Sequence, residues 1–193
     1  MQFLLFLAAA SVVSADAFSI SVFAPNTAVD GTTLHAAKES FYSGIAGPAT
    51  SCPLKPASNC PKVAGTLVSS MMGAMEVMVP GGQQTYVRAD GQVKFTKPHS
   101  AYIPESSIIH GWVSKTIVSD CLLPKRRDVI DFYDGQGHGG VALCPDVPRD
   151  MDGTGASFLL YAKTEGFNLT GCIDILGLTL TKSVFNVGCY QYQ

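Results

Sequence analysis

An all-β fold is predicted, on three observations. Short period-two apolar runs recur along the chain, Gly and Pro punctuate them at short intervals, and helical periodicity is nearly absent. Phe18, Ile20 and Val22 alternate with Ser19 and Ser21, the pattern of a half-buried strand. The one helical candidate is Leu34 to Ser43. Ala36, Ala37, Lys38 and Glu39 favour helix there, but Phe41 and Tyr42 suit a strand, so a turn of helix at most is expected. Val77 and Val79 lead into a Pro80-Gly81-Gly82 turn. Tyr86 and Arg88 run to Ala89-Asp90-Gly91, where Asp-Gly signals a hairpin, and Val93 and Phe95 resume the alternation. Trp112 to Val118, Val129 to Tyr133, Gly140 to Leu143, Ser157 to Ala162, Cys172 to Leu180 and Phe185 to Tyr190 complete the set. About ten short strands imply a β-barrel or a sandwich. Three loose sections, near 18–60, 63–110 and 111–160, would also suit a trefoil, and no repeat is strong enough to choose.

The N-terminus sets the expected compartment. Phe3 to Val13 is an almost unbroken apolar run, shorter than the roughly 20 residues needed to span a bilayer. Val13, Ser14 and Ala15 follow as a small-residue cleavage signal. Residues 1–15 therefore read as a signal peptide and 16–193 as a single secreted β domain. Ala15-Asp16-Ala17 offers a second cleavage site two residues on. No later stretch reads as a membrane span, so no membrane association is expected after cleavage.

All six cysteines, Cys52, Cys60, Cys121, Cys144, Cys172 and Cys189, lie beyond the cleavage site. An even count in an exported chain implies three disulfides. A zinc site would need ligands more closely spaced than Cys52 and Cys60. Two local pairings are the simplest, Cys52 with Cys60 around a Pro-rich loop and Cys172 with Cys189 around a terminal hairpin. The full connectivity stays open.

The net charge is −2. Lys125-Arg126-Arg127 is the one basic cluster, too small for the broad basic face that nucleic acid requires. It reads either as a solvated loop or as a dibasic processing site. Asn168-Leu169-Thr170 is the single N-glycosylation sequon and is expected on the surface.

Catalytic constellations are sparse. Asp150-Met151-Asp152-Gly153 looks like half a calcium loop. Placing Gly153 at the loop's sixth position puts Pro148 and Leu159 where the first and last ligands belong. No metal and no cofactor is therefore expected. Asp131-Phe132-Tyr133-Asp134-Gly135-Gln136-Gly137-His138-Gly139-Gly140 is the most unusual string. His138 with Asp131 or Asp134 would suit a base or a ligand-binding loop, and an exposed hairpin is the plainer account. The glycines lack the Lys-Ser/Thr ending and the following helix of a phosphate loop. No Ser sits in Gly-x-Ser-x-Gly, and the four histidines, His35, His99, His110 and His138, are scattered. Asp128, Asp131, Glu76 and Glu165 are the carboxylates that a sugar hydrolase could bring together in the fold. Bridged cysteines cannot act as nucleophiles. No catalytic residue is assigned.

Aromatics carry a binding alternative. Trp112, Tyr86, Tyr102 and Tyr133 could stack on sugar rings, although Trp112 opens an apolar strand and a core position is the plainer account. Trp112, Tyr133, Asp134 and His138 form the candidate ligand-contact set. Met71, Met72, Met75 and Met78 read as adaptable core filler.

Taken in order, the motifs resemble a known family. The N-terminal Phe18-Ser19-Ile20-Ser21-Val22 strand is followed by His35-Ala36-Ala37-Lys38-Glu39-Ser40-Phe41-Tyr42-Ser43-Gly44. Thr50-Ser51-Cys52-Pro53 and Asn59-Cys60-Pro61 come next, then Gln84-Thr85-Tyr86-Val87-Arg88-Ala89-Asp90-Gly91, Gly111-Trp112, Ala142-Leu143-Cys144-Pro145, Gly171-Cys172 and Gly188-Cys189-Tyr190. This order and cysteine spacing resemble the fungal PhiA-like cell-wall proteins, a family that includes secreted IgE-binding proteins of moulds. The family's Gly-rich run after the Asp turn is not in place, and the resemblance supplies no partner for Cys121. The resemblance implies an extracellular or wall-associated β protein, linked in relatives to spore-bearing cell development and to antigenicity, with no reaction or cofactor. The expected role is a non-enzymatic structural protein of the wall. The alternative is a secreted module or effector that binds a cell-wall polysaccharide or a host protein.

Overall fold

The computed structural model describes residues 16–121, 124–146 and 157–193. The expected signal peptide and the Asp150–Gly153 segment lie outside the described residues. The strands, in chain order, are β1 (Ala17–Phe23), β2 (His35–Ala37), β3 (Ser40–Ser43), β4 (Thr50–Ser51), β5 (Val68–Ser69), β6 (Ala74–Met75), β7 (Gln83–Val87) and β8 (Val93–Phe95). They continue as β9 (Trp112–Val118), β10 (Arg126–Phe132), β11 (Val141–Pro145), β12 (Phe158–Ala162), β13 (Ile173–Ile175), β14 (Gly177–Lys182) and β15 (Gln191–Tyr192). Among the described residues, the helical structure is two short 3-10 turns, Ala57–Asn59 and Ser70–Met72. The all-β class is as the alternation indicated.

Thirteen strands form one curled, half-barrel sheet in the order β13-β11-β12-β3-β8-β7-β6-β5-β1-β14-β10-β9, with β2 paired to β3. β4 and β15 make a separate two-stranded ribbon. β1 occupies the middle of the sheet rather than an edge. It pairs antiparallel with β14 from Phe18↔Lys182 to Phe23↔Gly177, and with β5 at Ala17↔Ser69 and Phe18↔Val68. Its alternation sends Ile20 and Val22 into the core and leaves Ser19 and Ser21 half-buried. Strands from both halves of the sheet fill one apolar cluster that includes Ile20, Leu34, Phe41, Phe95, Phe132, Leu143, Leu160 and Leu178. Phe95 lies edge-on between Phe41 and Tyr192, at centroid distances of 5.7 and 6.3 Å, a favourable aromatic geometry.

Leu34 to Ser43 departs from its sequence reading. It is the β2–β3 hairpin, with Lys38 (φ 49°) and Glu39 (φ 58°) both left-handed at the turn. Two consecutive positive φ values match the turn that follows the twist of paired strands. Helix preference amounts to a few tenths of a kcal/mol per residue, roughly 0.7 at most for ordinary types. Full burial of Phe41 alone contributes about 1.5–3 kcal/mol, so packing overrides propensity. The Asp-Gly signal does mark a hairpin. Gly91 (φ 88°) joins β7 to β8, and a Cβ there would run into the Ala162 carbonyl oxygen. Gly91 N–H and C=O in turn bond Arg88 O (2.8 Å) and Ala162 N–H (2.8 Å).

The cysteines also depart from expectation. Cys52–Cys60 is bridged (S–S 2.08 Å), and so is Cys144–Cys172 (S–S 2.05 Å). Cys121 and Cys189 are free, so there are two disulfides and not three, and Cys172 does not pair with Cys189. The physical reason is that no terminal hairpin forms. β13 joins β11, β14 crosses to β1 and β10, and the last segment lies elsewhere, with Cys189 beside Val77 in a parallel bridge. Cys172 instead continues the β11–β13 ladder: Leu143 faces Ile173, and the next pair is Cys144 with Cys172, Cα–Cα 4.2 Å. Directly opposed residues of an antiparallel pair are close enough to bridge.

Candidate functional site

The β10–β11 connection, Tyr133 to Gly140, is the most elaborated loop, and its own Asp builds it. β10 delivers Tyr133, whose N–H bonds Gly111 O at 2.8 Å; Gly140 N–H returns to Phe132 O at 2.8 Å, and Asp134 N–H bonds His138 O at 3.0 Å. Inside this frame Asp134 Oδ1 accepts the backbone N–H groups of Gln136 (2.7 Å) and His138 (3.1 Å), and Oδ2 meets His138 Nδ1 at 2.8 Å. The glycines make the path possible, since Gly135 (φ 80°), Gly137 (φ 109°) and Gly140 (φ 98°) all take left-handed values. Desolvation works against ionising Asp134. The hydrogen bonds from Gln136 and His138 outweigh it and hold the carboxyl below the usual carboxylate range.

The Asp134 side chain is 5% exposed and the His138 side chain 43%. In the neutral imidazole, Nδ1 donating to Asp134 leaves Nε2 as the acceptor of a half-exposed side chain. That is the base-and-orienter half of a catalytic constellation. Among the described residues, no Ser, Thr or Cys side chain hydrogen-bonds His138, and no three His, Cys, Asp or Glu side chains gather closely enough to hold a metal ion.

Tyr133 is exposed beside this pair. Trp112 is not, and its place in the ligand-contact set is corrected. It is 9% exposed and lies edge-on to Phe132 with centroids 5.5 Å apart. It supports the strand that carries the loop and presents no face to a ligand. Tyr86 is likewise buried, while Tyr102 is exposed. Met72 and Met75 are in the core and Met78 is at the surface.

The sequence-selected carboxylates are dispersed. Asp131 is bound by Lys115 Nζ at 2.8 Å and also accepts Phe132 N–H at 2.9 Å. Asp128 accepts Thr116 Oγ1 at 2.6 Å, with Arg126 Nε 3.6 Å away. Three residues apart on β10, the two Asp side chains point to opposite faces. Glu76 follows β6, where burial raises its pKa, and Glu165 is exposed in the loop after β12. The basic cluster opens β10: Lys125 pairs with Asp120 at 2.8 Å, and Arg126 and Arg127 are laddered against Val118 and Ile117.

Two features were missed in the sequence. One is a buried polar knot at the C-terminus. Tyr192 Oη accepts Leu67 N–H at 2.8 Å and donates to Gly65 O at 3.3 Å, and Gln83 bonds both the N–H and the C=O of Tyr192. Cys189 lies against it, its thiol pushed up to about 12 by burial. The other is a hollow of about 260 Å³ bordered by Phe23, Pro25, Asp30, Pro124 and Arg127, with the Arg127 guanidinium 5.6 Å from the centre of the Phe23 ring. Neither had a local signal, because each joins segments far apart in the chain.

No family model and no solved structure matches the chain. It is similar to an uncharacterized secreted protein of Arthroderma benhamiae, 32% identical over 166 residues, which cover 85% of this chain and 79% of that protein. Among the described residues, no helix is long and apolar enough to cross a membrane. The protein is secreted, as is this relative. At that identity and coverage, the chain belongs to the same family as this secreted fungal protein.

Proposed function

We propose that this protein is a non-enzymatic structural component of the fungal cell wall, the role implied by its resemblance to PhiA-like proteins and their link to spore-bearing cells. The observation that carries the reading is the use made of Asp134: both carboxylate oxygens are engaged in holding their own loop in shape. Asp131 and Asp128 are likewise engaged by cross-strand partners, Lys115 and Thr116. A continuous sheet pinned by two disulfides suits persistence outside the cell. Fractionation of the native fungus tests it. The protein is expected in the detergent-washed wall, released by wall-degrading enzymes or by reductant. Recovery of the whole pool from the culture medium would overturn it.

Exposed Tyr133 beside half-exposed His138 favours a second reading, a glycan- or protein-binding module. Exposed tyrosine on a rigid loop supplies contact area at low entropic cost. Retention on chitin or β-glucan, lost in Tyr133→Ala with the denaturation midpoint unchanged, would support it. Flow-through of the unsubstituted protein on both matrices would exclude these glycans.

A further inference from the structure

The loop between β12 and β13 carries the Asn168-Leu169-Thr170 sequon, and its anchoring explains how the sequon is presented. On the N-terminal side, Thr164 Oγ1 donates to Ala89 O at 2.7 Å, Phe167 N–H bonds Thr164 O at 3.1 Å, and the Phe167 ring lies 6.0 Å from that of Tyr161. Gly166 packs against the Ala89 carbonyl so closely that no Cβ would fit. On the C-terminal side, Cys172 is bridged to Cys144. Asn168, Leu169 and Thr170 arch between these two anchors, and all three are exposed. The Asn168 amide makes no hydrogen bond among the described residues, so no contact is broken by loading it.

We infer that Asn168 carries an N-linked oligosaccharide. The structure meets both physical demands of that modification. The acceptor amide and the Thr170 hydroxyl are open to solvent, and nothing among the described residues is packed over the Asn168 side chain. Secretion supplies the third demand, passage through the compartment that holds the donor. In the transfer, the anomeric carbon of a polyprenyl-diphosphate-linked oligosaccharide forms a bond to Asn168 Nδ2. Its bond to the diphosphate oxygen breaks, the amide loses one proton, and the polyprenyl diphosphate leaves with the electron pair. No oxidant or reductant takes part. The glycan would stand over Leu169, which is 44% exposed, and place a hydrophilic chain just before β13, the strand at one end of the sheet. Unpaired end strands invite association with other chains, and bulky solvated groups nearby oppose it.

The sequence holds no other sequon, so any N-glycan reports on this site. The test is the intact mass of protein secreted by its native fungus, before and after peptide N-glycosidase F. A glycan-sized loss is expected, with Asn168 left as Asp in the tryptic peptide. Asn168→Gln and Thr170→Ala should abolish the shift and Thr170→Ser should keep it. A native mass equal to that of the mature polypeptide, unchanged by the enzyme, would overturn the inference. That result needs no variant and so cannot be confused with misfolding.

Discussion

Protonating Asp134 would weaken three hydrogen bonds at once, since both of its oxygens are in use. Its folded pKa is lowered, so its contribution to loop order is complete above the unfolded carboxyl value, about 3.9. That contribution is lost as pH falls through the lower folded value. The amide resonances of Gln136 and His138 are expected to titrate together with a midpoint below that of a free Asp. A midpoint at or above it would remove Asp134 from its organising role. Thiol chemistry gives a second residue-scale outcome. Cys121 is exposed and Cys189 is buried with its thiol pushed up to about 12, and only the thiolate reacts. A chromogenic disulfide reagent at pH 8 should find one fast thiol in the native protein and a second only in denaturant. No thiol in denaturant would restore a third bridge. Asp134 and His138 were legible in the sequence because neighbours in the chain form the site. The burial of Trp112 was legible too, since it opens an apolar strand; its edge-on partner Phe132 was not, because that contact depends on the β9–β10 register.

The two bridges act on different elements. Cys52–Cys60 closes a short loop, separation 8, whereas Cys144–Cys172 ties β11 to the residue before β13 across a separation of 28. Loop-closure entropy predicts about 2.5 kcal/mol for the first and about 3.5 for the second. The double substitution Cys144→Ala/Cys172→Ala should therefore lower the urea midpoint more than Cys52→Ala/Cys60→Ala. The reverse order would mean that strain or residual unfolded structure outweighs chain entropy. The strands themselves were largely legible, because alternation and Asp-Gly turns are local. β2–β3 was not: Ala36 to Glu39 are good helix formers, and the hairpin exists because Ala36 and Phe41 have a core to enter. The Cys144–Cys172 pairing depends on the β11–β13 register, which no local pattern encodes.

At the scale of the molecule, sheet order was hidden because β1 finds its partners, β5 and β14, far along the chain. The placement of β1 has a consequence for maturation. Ala17 is fully buried and paired with Ser69, its carbonyl accepts Ser183 N–H at 2.8 Å, and Asp16 Oδ1 is 2.7 Å from Lys182 Nζ. Of the two expected cleavage sites, the one after Ala15 would preserve these contacts, and the one after Ala17 would delete them. The exposed ion pair is worth about 0–1 kcal/mol and the hydrogen bond about 1. A chain beginning at Phe18 would also place a charged amine where a neutral peptide now joins the sheet. Peptide mass spectrometry of the secreted protein should find Asp16 at its N-terminus. A version starting at Phe18 should unfold at lower denaturant, by about 1–2 kcal/mol from these two terms. A native N-terminus at Phe18, with stability equal to that of the longer chain, would show that β1 is held by Phe18 to Phe23 alone.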